Sequence, residues 1–185
     1  MKTNINLGNS KKFVGYKTNG ISNCLDLCKT ILKNYGITSF GNSSNVFKLM
    51  YEKNGKLVHY GNDVKANYQN AINCIDRHLE AGRPIIVGVN HTLNKTLNEG
   101  ATDHFVVIYG RGYDEDMECD FYNYYEVGKS DIEKGYDDNL NRFYFKDGNK
   151  LFDPKSGRSD EARFDVTQVR PNDGDIEGTV SQNSN

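Results

Sequence analysis

Apolar side chains at Cys24, Cys28, Ile31, Leu32 and Tyr35 recur at i, i+4, i+7, i+8 and i+11, with Leu25 beside the first. That spacing is one face of a helix. Ser22-Asn23 can cap its start and Gly36 can stop it, so a helix is predicted over residues 24–35 with Cys24 in its first turn. A second helix is predicted over residues 69–81, with Ile72, Ile75 and Leu79 inward and Gly82 closing it ahead of Arg83-Pro84. Residues 84–89 are a continuous, β-branched-rich run and predict a central strand. Residues 104–109 and 119–127 form the arms of a hairpin across an acidic turn, and residues 142–146 and 162–170 give further strands. Between the first two helices, residues 45–50 suggest a short helix and 56–60 a strand. Residues 90–102 are a polar loop. From Pro171 onward apolar residues almost vanish, so a disordered tail is expected there. The order predicts an α+β fold, an N-terminal helix packed on a mostly antiparallel sheet, as one domain over residues 1–170 with a tail over 171–185.

Composition narrows the function. The chain of 185 residues balances 23 Lys and Arg against 25 Asp and Glu, for a net charge of −2. There is no basic stripe, so nucleic acid is not an expected partner. No apolar run approaches the roughly 18 residues of a membrane span. The Asn- and Lys-rich start lacks the apolar core of a secretory signal, so export, if it occurs, is expected to use another route. Cys24, Cys28, Cys74 and Cys119 contain no Cys-x-x-Cys pair, which argues against a zinc ribbon or a thioredoxin motif. No metal or cofactor is expected, and the thiols are expected to be free.

A nucleophilic cysteine needs a lowered pKa, an imidazole beside it and a group that orients the imidazole. A helix N-terminus favours the thiolate through its dipole and free N–H groups. Cys24 holds that place, whereas Cys28 lies one turn deeper and suits the core. Of four histidines, His78 reads as a helix-surface residue, His59 lies in a weak strand and His91 in the polar loop. His104 opens the most apolar strand, where a base would stand at the mouth of a sheet. On the returning strand Asn123 sits amid Phe121, Tyr122, Tyr124 and Tyr125 and is the candidate orienting group. Glu126, on the opposite face by strand alternation, is the alternative.

The stretch Asn23-Cys24-Leu25-Asp26-Leu27-Cys28, running to Gly36, resembles the nucleophile helix of NlpC-type and other papain-like cysteine peptidases. Asp103-His104-Phe105-Val106-Val107-Ile108-Tyr109-Gly110 is similar to the base strand of that superfamily, and Gly82-Arg83-Pro84 with its strand is similar to the preceding one. Leu25-Asp26 stand where the NlpC signature has Ser-Gly, so the likeness is to the papain-like core. The resemblance implies a papain-like amidase or peptidase with Cys24 as nucleophile, His104 as general base and Asn123 as orienting residue. Backbone N–H of Cys24, with Tyr16 or Asn23, would bind the oxyanion. Small domains of this kind resemble interbacterial amidase toxins, which cut peptide bonds in peptidoglycan. That implies a peptidoglycan peptide substrate, a cognate immunity or inhibitor protein as partner, and synthesis in a bacterial cytoplasm followed by export through a dedicated secretion system to a target cell envelope. The same site would also serve a protease, deamidase or acyltransferase acting on a protein. A non-catalytic α+β binding module with core cysteines is the third reading.

Overall fold

The computed structural model describes residues 2–91, 100–155 and 163–174. In chain order these form β1 (Ile5–Asn6), α1 (Cys24–Asn34), β2 (Phe47–Lys48), β3 (Met50–Lys53), β4 (Lys56–His59), α2 (Val64–Glu80), β5 (Ile85–Asn90), β6 (His104–Asp114), β7 (Cys119–Tyr125), α3 (Ile132–Gly135), β8 (Arg142–Lys146), β9 (Lys150–Asp153) and β10 (Phe164–Arg170). The fold is α+β with an antiparallel sheet and few helices.

Six strands close a barrel. Each of β5 to β10 pairs antiparallel with the next, and β10 returns to β5 through Val169 opposite Val87. Beyond the start of β5, β1 continues the pairing along β6, and β2 takes over from β9 beside the second half of β10. A separate hairpin, β3–β4, carries Asn54 and Gly55 in left-handed conformations at its tip. Residues 45–50, expected to be helical, therefore supply β2 and the start of β3: Phe47 is buried by pairing with β10, a contact no local pattern announces. β9 was not foreseen, because Lys150-Leu151-Phe152-Asp153 is too short and too polar to show alternation.

Strand alternation builds two cores on the two sides of the wall. Ile85, Val87, Val89, Val106, Ile108, Tyr122, Tyr124 and Phe143 pack with Ile72, Ile75 and Leu79 of α2. Ile86, Phe105, Val107, Tyr109 and Tyr125 pack with Leu27, Cys28, Ile31 and Leu32 of α1. The aromatic run of β7 is thus core on both faces. α1 starts where Asn23 Oδ1 accepts from the N–H groups of Leu25 (2.9 Å) and Asp26 (3.2 Å). It ends where Gly36, at φ 77°, lets Ile37 N–H reach back to Leu32 O at 3.0 Å.

The domain boundary lies further on than Arg170. Pro171, Asn172 and Asp173 are buried, not disordered. Asn172 N–H donates to His78 Nε2 (3.0 Å) and its Nδ2 to Pro84 O (2.7 Å), while Arg83 Nε donates to Asn172 Oδ1 (2.9 Å) and Arg77 Nε to Asp173 Oδ2 (3.1 Å). Under this strap His78 is 1% exposed, not a surface residue as its helical neighbours suggested. Burial pushes the His78 pKa down, and the neutral ring donates from Nδ1 to Cys74 O at 2.8 Å while Nε2 accepts. The strap stays although it is polar, because its bonds satisfy groups that would otherwise be orphaned inside. The rest of the expected tail, residues 175–185, lies outside the described residues. A chain ending at Arg170 should lose about 3–5 kcal/mol of stability, at about 1 kcal/mol per lost bond. An unchanged thermal melt would refute this.

Candidate active site

α1 points its N-terminus at the start of β6, where the two segments bring Cys24 and His104 together. Cys24 is half-buried, and its sulfur engages the His104 imidazole and the backbone of Phe105 and Leu25. Burial alone would raise the thiol pKa. The hydrogen bond and positive charge of His104, then the two backbone groups, outweigh it and lower the pKa below its ordinary value. Cys28 shows the contrast. It is fully enclosed, and burial, with the charges of Cys24 and Glu126, pushes its thiol well up. All four cysteines are free.

The third member is Glu126. Its Oε1 accepts from His104 Nε2 at 2.6 Å and from Gly128 N–H at 2.7 Å. With Nε2 committed to the carboxylate, Nδ1 is the ring nitrogen left for the thiol. Burial would depress the His104 pKa; the Glu126 carboxylate and Cys24 reverse this and raise it to about 9. Glu126 is fully buried, and its N–H is fixed to Gly135 O at 2.8 Å. Gly128 leaves room for this bond: a Cβ there would stand 2.9 Å from Glu126 Oε1, so the carboxylate would have to shift.

Asn123 is not behind His104. It pairs with Gly110, six residues further along β6 than His104, and its Nδ2 donates to Asp138 O at 2.8 Å. Six residues are about 20 Å of strand at ~3.3 Å each. Register explains the exchange. Ile108 lies opposite Tyr124 and Val107 opposite Tyr125, so continuing the ladder sets Glu126 diagonal to His104 on the same face. Asn123 faces the other way along the strand and a bulge further separates it. Glu126 was readable as a carboxylate in phase with Tyr122 and Tyr124 and followed by Gly128; what the sequence lacked was the register.

His104 is held rigidly from behind. Asp103 N–H donates to Val89 O at 2.9 Å, Asn90 Nδ2 to Ala101 O at 2.7 Å and Gln168 Nε2 to Thr102 Oγ1 at 2.7 Å. His91 gives its ring nitrogen to Asp103 at 2.7 Å and sets its ring 6.2 Å from that of His104, edge to face. His91 is therefore a neighbour of His104, tied to its own carboxylate. His59 lies on β4 against Tyr68.

Cys24 and His104 open into a cleft of about 430 Å³ whose walls include Tyr16, Leu27, Val127 and Gly128. Comparison with protein-family models, curated proteins and solved structures finds no match. Tyr16 lines the cleft, as an oxyanion donor would have to. Asn23 Oδ1 caps α1, and Asn23 is not among the residues that line this cleft. Among the described residues no group of three or more His, Cys, Asp or Glu side chains is arranged to hold a metal ion. No helix among them is long and apolar enough to cross a membrane.

Proposed function

We propose that the protein is a papain-like cysteine amidase that hydrolyses peptide bonds of bacterial peptidoglycan, with Cys24 as nucleophile, His104 as general acid and base, and Glu126 as the group that orients His104. The observation that carries this reading is the continuous chain from the Cys24 sulfur through the His104 ring to the Glu126 carboxylate, at the mouth of a cleft. A buried imidazole with a raised pKa beside a thiol with a lowered one is the charge arrangement of an activated nucleophile.

The thiolate attacks the amide carbonyl, forming a C–S bond and an oxyanion. The first-turn N–H of Cys24, with Tyr16 of the cleft wall, would hold that oxygen. The C–N bond breaks as His104 delivers its Nδ1 proton to the leaving amine. His104 then takes a proton from water, whose oxygen attacks the thioester and releases the acid and the thiolate. Glu126 keeps the Nε2 proton in place throughout. The wall substrate, the delivery as an antibacterial effector and an immunity partner are supported by the sequence resemblance of the Cys24 helix and the His104 strand.

Mass spectrometry of muropeptides after incubation with purified sacculi tests the proposal. The wild-type chain should shorten or uncouple peptide stems, and Cys24→Ala should leave them intact. Intact muropeptides together with cleavage or deamidation of a protein panel would move the same site to a protein substrate.

A further inference from the structure

One wall of the cleft is a turn whose backbone is unusual. Lys17 and Asn19 both have left-handed conformations, at φ 67° and 50°. The turn is closed by Lys17 N–H to Ile21 O at 2.7 Å and Thr18 N–H to Gly15 O at 3.0 Å. Tyr16 N–H donates to Lys129 O at 3.1 Å, which ties the turn to the segment that follows Gly128. Gly15 makes this approach possible, since a Cβ there would lie 2.1 Å from Lys129 O. The turn presents Tyr16 to the cleft with 40% of its surface exposed, and it folds the Lys17 ammonium over the Tyr16 ring, 5.5 Å from its centroid.

Strained non-glycine residues persist where surrounding structure fixes them, and they concentrate at ligand clamps. Here the fixed object is an exposed aromatic ring carrying a cation at the mouth of the Cys24 cleft. Among the described residues no carboxylate forms an ion pair with Lys17. The acidic groups of the cleft are committed: Asp103 to His91, and Glu126 to His104 and Gly128. Asp26 is exposed and sits two positions beyond Cys24, about 200° round the helix, so it points away from the nucleophile. The Lys17 ammonium, held on the Tyr16 ring that lines the cleft, is therefore a positive charge beside the cleft that neither of these carboxylates pairs.

We infer that the Tyr16–Lys17 lip is a substrate subsite for a carboxylate, so that the amide cut at Cys24 belongs to an anionic peptide whose free carboxylate pairs with Lys17. This inference rests on Cys24 being the nucleophile proposed above.

Iodoacetate and iodoacetamide test it. Both transfer an alkyl group to the Cys24 thiolate, with an S–C bond formed and iodide released, and they differ in carrying a carboxylate or a neutral amide. Rates of Cys24 alkylation are read by peptide mass spectrometry on the full chain. Lys17→Asn removes the charge and keeps a residue that accepts the left-handed backbone. In Lys17→Asn the ratio of iodoacetate to iodoacetamide rates should fall roughly fivefold, and further in Lys17→Glu, with the iodoacetamide rate unchanged within about twofold. Raising ionic strength should shrink the wild-type ratio towards that of Lys17→Asn. Lys150→Gln, on β9 and paired with Asp147, should leave the ratio unchanged. If Cys24 reacts fast in every variant and the ratio ignores Lys17, the subsite is refuted and the nucleophile stands. If wild-type Cys24 reacts with iodoacetamide no faster than an ordinary thiol, the nucleophile is refuted and the subsite falls with it.

Discussion

Glu126→Gln should lower kcat about 10²- to 10⁴-fold, the range expected when a buried carboxylate behind a catalytic imidazole becomes an amide. Gln preserves the shape and still accepts from His104 Nε2, so the fold should survive and the loss should be electrostatic. Without the carboxylate, burial dominates the His104 pKa, which should drop from about 9 towards or below the ordinary 6.5. The high-pH limb of the rate profile should move down with it. Asn123→Ala supplies the contrast, since Asn123 is remote from His104 and bonded to Asp138 O. Its turnover should stay within about twofold of wild type. Equal losses in the two variants would refute the Cys24–His104–Glu126 assignment.

Cys24→Ala should abolish turnover and leave the melting temperature nearly unchanged, because Cys24 is only half-buried at a helix end. Cys28→Ala should do the reverse, keeping turnover and costing about 1–2 kcal/mol as a small truncation in a sealed core. The pH dependence has a definite sign. The His104 imidazole and the two backbone groups lower the Cys24 thiol pKa, so its alkylation should set in at lower pH than that of an unperturbed thiol of pKa about 8.5. His104 holds its proton up to about 9, so proton delivery to the leaving amine should fail as pH rises through that value. The same raised pKa contributes stability that is complete below about pH 6.5 and is lost as pH rises through about 9. Alkylation of Cys24 that follows an unshifted thiol curve would contradict the pairing.

How much of this was legible in the sequence depended on whether the signal was local. Asn23, the apolar face from Cys24 to Leu32 and Gly36 all act within one helix, and they located α1 with Cys24 in its first turn. The run from Phe105 to Tyr109 located His104 at a strand start. Glu126 against Asn123 was a question of register across the β6–β7 pair, which a bulge near Ile108 and Gly110 shifts, and alternation alone cannot supply that. His78 and the segment Pro171–Asp173 were misread for a related reason. Each looks polar and exposed until the other covers it, and nearly a hundred residues separate them. Barrel closure was invisible too, because the β5–β10 pair joins segments about eighty positions apart.

That closure has a consequence in time. Pairs so far apart in the chain form late, after costly loop closure, and folds dominated by them are slow to assemble. Cys24 comes from the first sixth of the chain, while His104 and Glu126 come from strands of the barrel. Until the wall closes and α1 seats on Ile86, Phe105 and Val107, the thiol has no imidazole beside it and no helix end set against the start of β6. A nascent or unfolded chain therefore lacks the Cys24–His104 pairing, and the lowered thiol pKa that goes with it exists only once the wall has closed and α1 has seated on it.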